Sequence, residues 1–139
     1  MRINQKGISL INILIIVIVV GAILGGFFVL LNNERSKTRD AKRMADMARI
    51  QAAFEFLYNE TASYELAAVG GCEAEGNLVS QCNLSKYLPS IATMADPGEF
   101  RYVVSTVPGA EEYAITFTLE NSFDNFAAGQ HVLSQAGIR

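Results

Sequence analysis

The chain has one histidine, two cysteines and three prolines in 139 residues, and from Ile8 to Leu31 it runs for 24 residues without a charge. Each scarcity narrows what it can do. His131 has no carboxylate or cysteine beside it in sequence, so no local motif assembles a histidine-based relay or metal site, and a surface or turn histidine is expected. Cys72 and Cys82 have nothing in metal-ligand spacing around them, which excludes a four-cysteine zinc module. Gly70-Gly71 is not followed by Lys-Ser/Thr, so no phosphate-cradling loop is encoded. Glu73 and Glu75 with Asn77 resemble a calcium loop loosely, but Gly76 is misplaced for one. Glu111-Glu112 reads as a solvated pair beside a turn. No enzyme signature is present, and no cofactor or metal is expected.

The net charge of -3 conceals an asymmetry. Residues 32–53 carry six Lys/Arg against three Asp/Glu, whereas residues 54–139 carry three against eleven. The acidic distal part is a poor nucleic-acid ligand, so no specific nucleic-acid partner is expected and a solvated acidic surface is the simpler reading. The basic cluster from Arg35 to Arg49 suits phospholipid headgroups or nucleic acid, but Asp40 with Arg43 and Asp46 with Arg49 recur at helical spacing. Pairing within the helix is the more economical reading.

The uncharged run itself is the dominant feature. As a helix it would be ~36 Å long, enough to span the ~30 Å hydrocarbon core of a bilayer with room to tilt. Met1 to Gly7 before it is short, polar and basic through Arg2 and Lys6. That could open a secretory signal with a weak cleavage site at Val20-Gly21-Ala22, but apolar character continues to Leu31, so a retained segment is preferred. Membrane orientation is contradictory. Counting Arg35, Lys37, Arg39, Lys42 and Arg43 after the run places the C-terminal side in the cytoplasm, whereas a disulfide between Cys72 and Cys82 would place it outside. If the domain is exported, an oxidised pair is expected, worth ~2–3 kcal/mol by chain entropy; otherwise two reduced thiols sit in a core.

No proline occurs before Pro89, and residues 34–58 are rich in good helix formers. Met47, Ile50, Phe54 and Leu57 recur at helical spacing, flanked by Met44, Ala48 and Tyr58. One helix is therefore expected from about Ile8 to about Tyr58, apolar all round over residues 8–31 and amphipathic over 32–58. Gly21, Gly25 and Gly26 in its apolar half read equally as close helix packing or as a soft point. Residues 59–139 form the remainder: a loop through the cysteines, helical turns at Asn83–Leu88 with Asn83 as N-cap, and a turn at Asp96-Pro97-Gly98. Phe100–Thr106 and Tyr113–Leu119 read as an antiparallel hairpin, with Tyr113, Ile115, Phe117 and Leu119 on one face, and Gln130–Leu133 as a short edge strand. The fold class expected is α+β, with the long helix packed on a small antiparallel sheet through the Met47-Ile50-Phe54-Leu57 stripe.

The opening stretch, Lys6-Gly7-Ile8-Ser9-Leu10-Ile11-Asn12, resembles the prepilin motif of the type IV pilin and type II secretion pseudopilin superfamily. The basic leader (residues 1–7), the glycine, the apolar start and the long helix match; Asn12 stands where that family carries glutamate. The resemblance implies cleavage by a prepilin peptidase between Gly7 and Ile8 and methylation of the new Ile8 amine. It also implies a subunit held in the bacterial inner membrane with its head outside the cytoplasm. Partners would be membrane lipid, an inner-membrane assembly platform and other pilin or pseudopilin subunits. Residues 8–31, with Ser9 and Asn12, would be the assembly helix, packed into the filament core. Because Asn12 brings no charge, a minor pilin or pseudopilin, or a filament using amide contacts, is expected over a standard major subunit. Two other classes remain open: an unprocessed single-pass protein with a partner-binding outer domain, and a secreted domain released near Ala22.

Overall fold

Without proline to interrupt it, the first half of the chain folds as one helix, α1, Leu10–Thr61. The computed structural model describes residues 10–139; the expectations for Gly7, Ile8 and Ser9 lie outside the described residues. The chain divides into two units, one ending at Arg35 and the other Ser36–Arg139. In the first unit, every large apolar side chain of α1 from Leu10 to Leu31 is exposed. In the second, α1 is amphipathic: Met47, Ile50, Ala53, Phe54 and Leu57 are buried, the stripe expected from the spacing. Its C-terminus is closed locally. The Thr61 hydroxyl donates to the Leu57 and Ser63 carbonyls, and Ala62, at φ 55°, turns the chain out of the helix.

A short helix, α2, Glu65–Ala68, leads into the disulfide-bounded loop. Cys72 and Cys82 are bonded, with Cα atoms 4.7 Å apart. The loop closes so tightly that a Cβ on Gly71 would lie 2.0 Å from the Gln81 carbonyl oxygen. The Asn83 N–H is held by the Ala67 carbonyl rather than by its own turn, and the Tyr87 and Leu88 N–H groups both return to the Leu84 carbonyl. The helical turns expected over Asn83–Leu88 are therefore one hydrogen-bonded turn, cut short before Pro89, and Asn83 caps nothing.

The sheet is a four-stranded antiparallel meander, ordered β1 (Val103–Thr106), β2 (Ala114–Leu119), β3 (Gly129–Ser134), β4 (Gly137–Ile138). The expected hairpin is present, with Val103 opposite Thr116 and a register shift between Val104 and Thr106. The strand expected at an edge, Gln130–Leu133, is instead interior as β3, because the chain turns back at Gln135-Ala136 and pairs β4 outside it. The free side of β1 is covered: the Gly76 N–H donates to the Val104 carbonyl, the Val104 N–H to the Asn77 carbonyl, and the Val79 N–H to the Tyr102 carbonyl just before the strand, which protects an otherwise open edge. Tyr113, Ile115, Phe117 and Leu119 face the core with the α1 stripe. Phe54 stacks on Tyr113 with ring centroids 3.9 Å apart, and Tyr64 meets both rings edge-on. This is the α+β architecture expected from the patterning.

Gly71→Ala is expected to destabilise the head by about 1–3 kcal/mol through overpacking, read from the urea midpoint of the detergent-solubilised chain; an unchanged midpoint would show that the loop yields freely.

Candidate functional site

Two features of the chain stand out: the exposed apolar helix of the first unit, and a charged cluster inside the second. The helix is long and apolar enough to cross a membrane, and its most apolar stretch is wholly exposed. Asn12 is on it, exposed, and is the one side chain from Leu10 to Leu31 with hydrogen-bonding groups. Cys72 and Cys82 lie in the other unit, Ser36–Arg139.

The cluster is built on the first turns of α1 within Ser36–Arg139. Arg43 is fully buried. Its Nε and Nη2 donate to the two oxygens of Asp96 at 2.6 and 2.8 Å, and its Nη1 donates to Asp40 and to Glu120, both at 2.7 Å. Arg39 grips both oxygens of Glu120 beside it. Asp40, reciprocally, accepts the N–H groups of Glu120 and Asn121 and the Asn121 side-chain amide at 2.8–2.9 Å. Helix α1 thus terminates β2 with a carboxylate, much as a capping residue terminates a helix. The Phe100 ring covers Arg43, 5.0 Å from centroid to guanidinium carbon. Gly98 lets the Asp96–Phe100 loop lie this close: a Cβ there would meet the Arg43 guanidinium at 3.0 Å.

The electrostatics follow from this geometry. The Asp96 hydrogen bond raises the affinity of Arg43 for its proton, which more than offsets burial. Burial opposes ionisation of Asp40 and Asp96. The Glu120 N–H and Asn121 amide at Asp40, and Arg43 with the Gly98 N–H at Asp96, outweigh it, and both carboxyls sit below the usual range. Glu120, held first by Arg39 and then by Arg43, is depressed to about 2.

Three cations of the basic cluster are therefore engaged by carboxylates. Arg39 and Arg43 are committed to Glu120 and Asp96, and Lys42 to Asp46 at 2.5 Å. The expected Asp40–Arg43 pair forms, but as part of a buried network rather than on a solvated surface. Asp46 does not take Arg49 as its partner: it is buried against the Tyr102 hydroxyl, which donates to it at 3.1 Å, while Arg49 faces solvent. Sequence reasoning missed Arg43, Asp96 and Glu120 as a unit. The available signal was that Arg43 continues the Met47-Ile50-Phe54-Leu57 stripe one step towards the N-terminus at the same helical spacing.

The other candidates have local roles. His131 lies in β3, its Nε2 2.7 Å from the Ala127 carbonyl and its ring near Phe117 and Phe126. Glu73 accepts the Gly70 N–H, and Asn77 the Ala74 N–H, each stabilising a turn. Among the described residues, no group of His, Cys, Asp and Glu is placed to hold a metal ion. Shallow grooves of about 470 and 480 Å³ flank the Asp96–Phe100 loop, the first lined by Leu78, Met94, Phe100 and Tyr102 and the second by Arg39 and Glu120.

Fold and site together define an α+β protein with, among the described residues, one helix long and apolar enough to cross a membrane. No protein family, curated protein or solved structure matches the chain.

Arg43→Met would leave Asp40 and Asp96 as buried, uncompensated carboxylates, and is expected to destabilise the head by about 3–5 kcal/mol in denaturant titration. The depressed carboxyls also set a pH dependence. Their contribution is present above the unfolded carboxylate values of about 4 and is lost as pH falls through the folded values, about 2 for Glu120. The unfolding midpoint is expected to be flat above about pH 5 and to fall between about pH 4 and 2, with a shallower fall in Glu120→Gln.

Proposed function

We propose that the chain is a structural subunit, a minor pilin or pseudopilin, of a type IV pilus or type II secretion-like filament. The observation that carries this reading is the division of labour along α1. Its first part offers, Asn12 apart, only apolar surface, which in water would be an aggregation site and in a bilayer or helix bundle is covered. Its second part is the spine of a disulfide-bonded α+β head. Such a helix suits a subunit that is stored in lipid and then packed against copies of itself.

On this reading, prepilin peptidase cuts between Gly7 and Ile8, and the new Ile8 amine is methylated. The subunit waits in the bacterial inner membrane with its head outside the cytoplasm, where Cys72–Cys82 oxidises. An assembly platform then moves Ile8–Leu31 from lipid into the filament core. No catalytic step falls to the subunit; its work is to bury surface. The α1–head cluster serves this role mechanically, since a helix that carries load into the filament must be fixed to what it carries.

The intact mass of the native protein tests this reading. Loss of Met1–Gly7 with gain of one methyl is the expected result. An uncut chain would instead identify a single-pass protein with a partner-binding outer domain, and a start at Ile23 a secreted one. Gly7→Leu is expected to abolish the cut; an unchanged N-terminus and location in that variant would exclude the filament reading.

A further inference from the structure

Asn12 sets a problem that the filament reading leaves open. It is exposed on an apolar helix, and among the described residues nothing hydrogen-bonds its amide. In hydrocarbon an amide without a partner is costly, and lipid tails neither donate nor accept. At 3.6 residues per turn, Asn12, Ile15, Val19, Ala22, Gly26 and Val29 fall on one side of α1, at alternating spacings of three and four. That spacing is the seam of a left-handed helix pair. Two of its members, Ala22 and Gly26, are small.

We propose that this face pairs, in parallel, with the same face of a second copy of the chain in the membrane, and that the two Asn12 amides bond each other. The inference rests on the membrane placement proposed above, but not on cleavage after Gly7. The occupant follows from chemistry and symmetry. A second copy inserted in the same sense carries its Asn12 at the same depth. An amide is both donor and acceptor, so it complements itself, whereas a carboxylate at this position would repel its own copy. The small residues further along the seam let the two backbones approach. Asn12 thus favours an unstaggered pair of subunits in the bilayer, a unit that can exist before any filament does.

Cysteine cross-linking of the full chain in phospholipid vesicles tests this. Both native cysteines are locked in the disulfide, so an introduced cysteine is the one free thiol. Val19→Cys, on the seam, is expected to cross-link under mild oxidation at least about fivefold more than Val17→Cys on the far side. Adding Asn12→Leu is expected to lower the Val19→Cys product about threefold to tenfold, the range an interhelical hydrogen bond supports. Asn12→Gln retains most of it, and Gly26→Leu, which adds bulk on the seam, lowers it as Asn12→Leu does. Equal cross-linking at the two positions, or a product indifferent to Asn12→Leu, overturns the pairing and leaves lipid as the cover of this face. Intact mass on protein isolated from cells separates the two readings. An uncut chain with Asn12-dependent cross-linking removes the filament and keeps the pair; a cut, methylated chain without it removes the pair and keeps the filament.

Discussion

The head depends on one buried guanidinium. Arg43 has no access to water, and burying a cation is tolerable only where its hydrogen bonds are met by opposite charge. Here the partners come from three places: Asp40 one helical turn away, Asp96 from the loop before the sheet, and Glu120 from the end of β2. The arrangement is reciprocal, because Asp40 takes the backbone N–H groups that follow β2. Replacing Arg43 leaves the buried Asp40 and Asp96 side chains without the cation that faces them both. The cluster therefore specifies where the sheet sits along α1 more strongly than it adds to stability; apolar contacts at Met47, Ile50, Phe54 and Leu57 would tolerate a slide of one turn, and a bidentate ion pair would not.

The rest of the head is arranged around that fixed point. The aromatic group of Phe54, Tyr64 and Tyr113 packs the far end of α1 against the start of β2. The disulfide and the Gly71–Gln81 contact tighten the loop that covers the β1 edge. A small domain with one modest core gains from such cross-links, since the surface it can bury is limited.

The cations after the apolar run also change meaning in the folded head. Counted as a row, Arg35, Lys37, Arg39, Lys42 and Arg43 argue for a cytoplasmic flank. In the structure, Arg39, Lys42 and Arg43 are each engaged by a carboxylate, two of which lie more than 50 residues away in sequence. The presence of these three on the helix is explained by what they hold.

By itself the sequence determined the elements that follow from local periodicity: the proline-free helix, its apolar and amphipathic halves, the Tyr113–Leu119 alternation and the hairpin. These are legible because helix and strand repeat every 3.6 and 2 residues, and burial follows the repeat. It also placed Asn12 as the lone amide in an apolar run. Only the tertiary structure decided that Gln130–Leu133 lies inside the sheet, that Asn83 caps nothing, and that Arg43 is a core residue. Strand order and ion-pair partners depend on contacts between distant segments, and no local pattern encodes which of fourteen acidic side chains a given arginine will meet. Arg43 shows the boundary well: its position on the apolar stripe was readable, while the Asp96 and Glu120 that make that position tolerable came into view only with the fold.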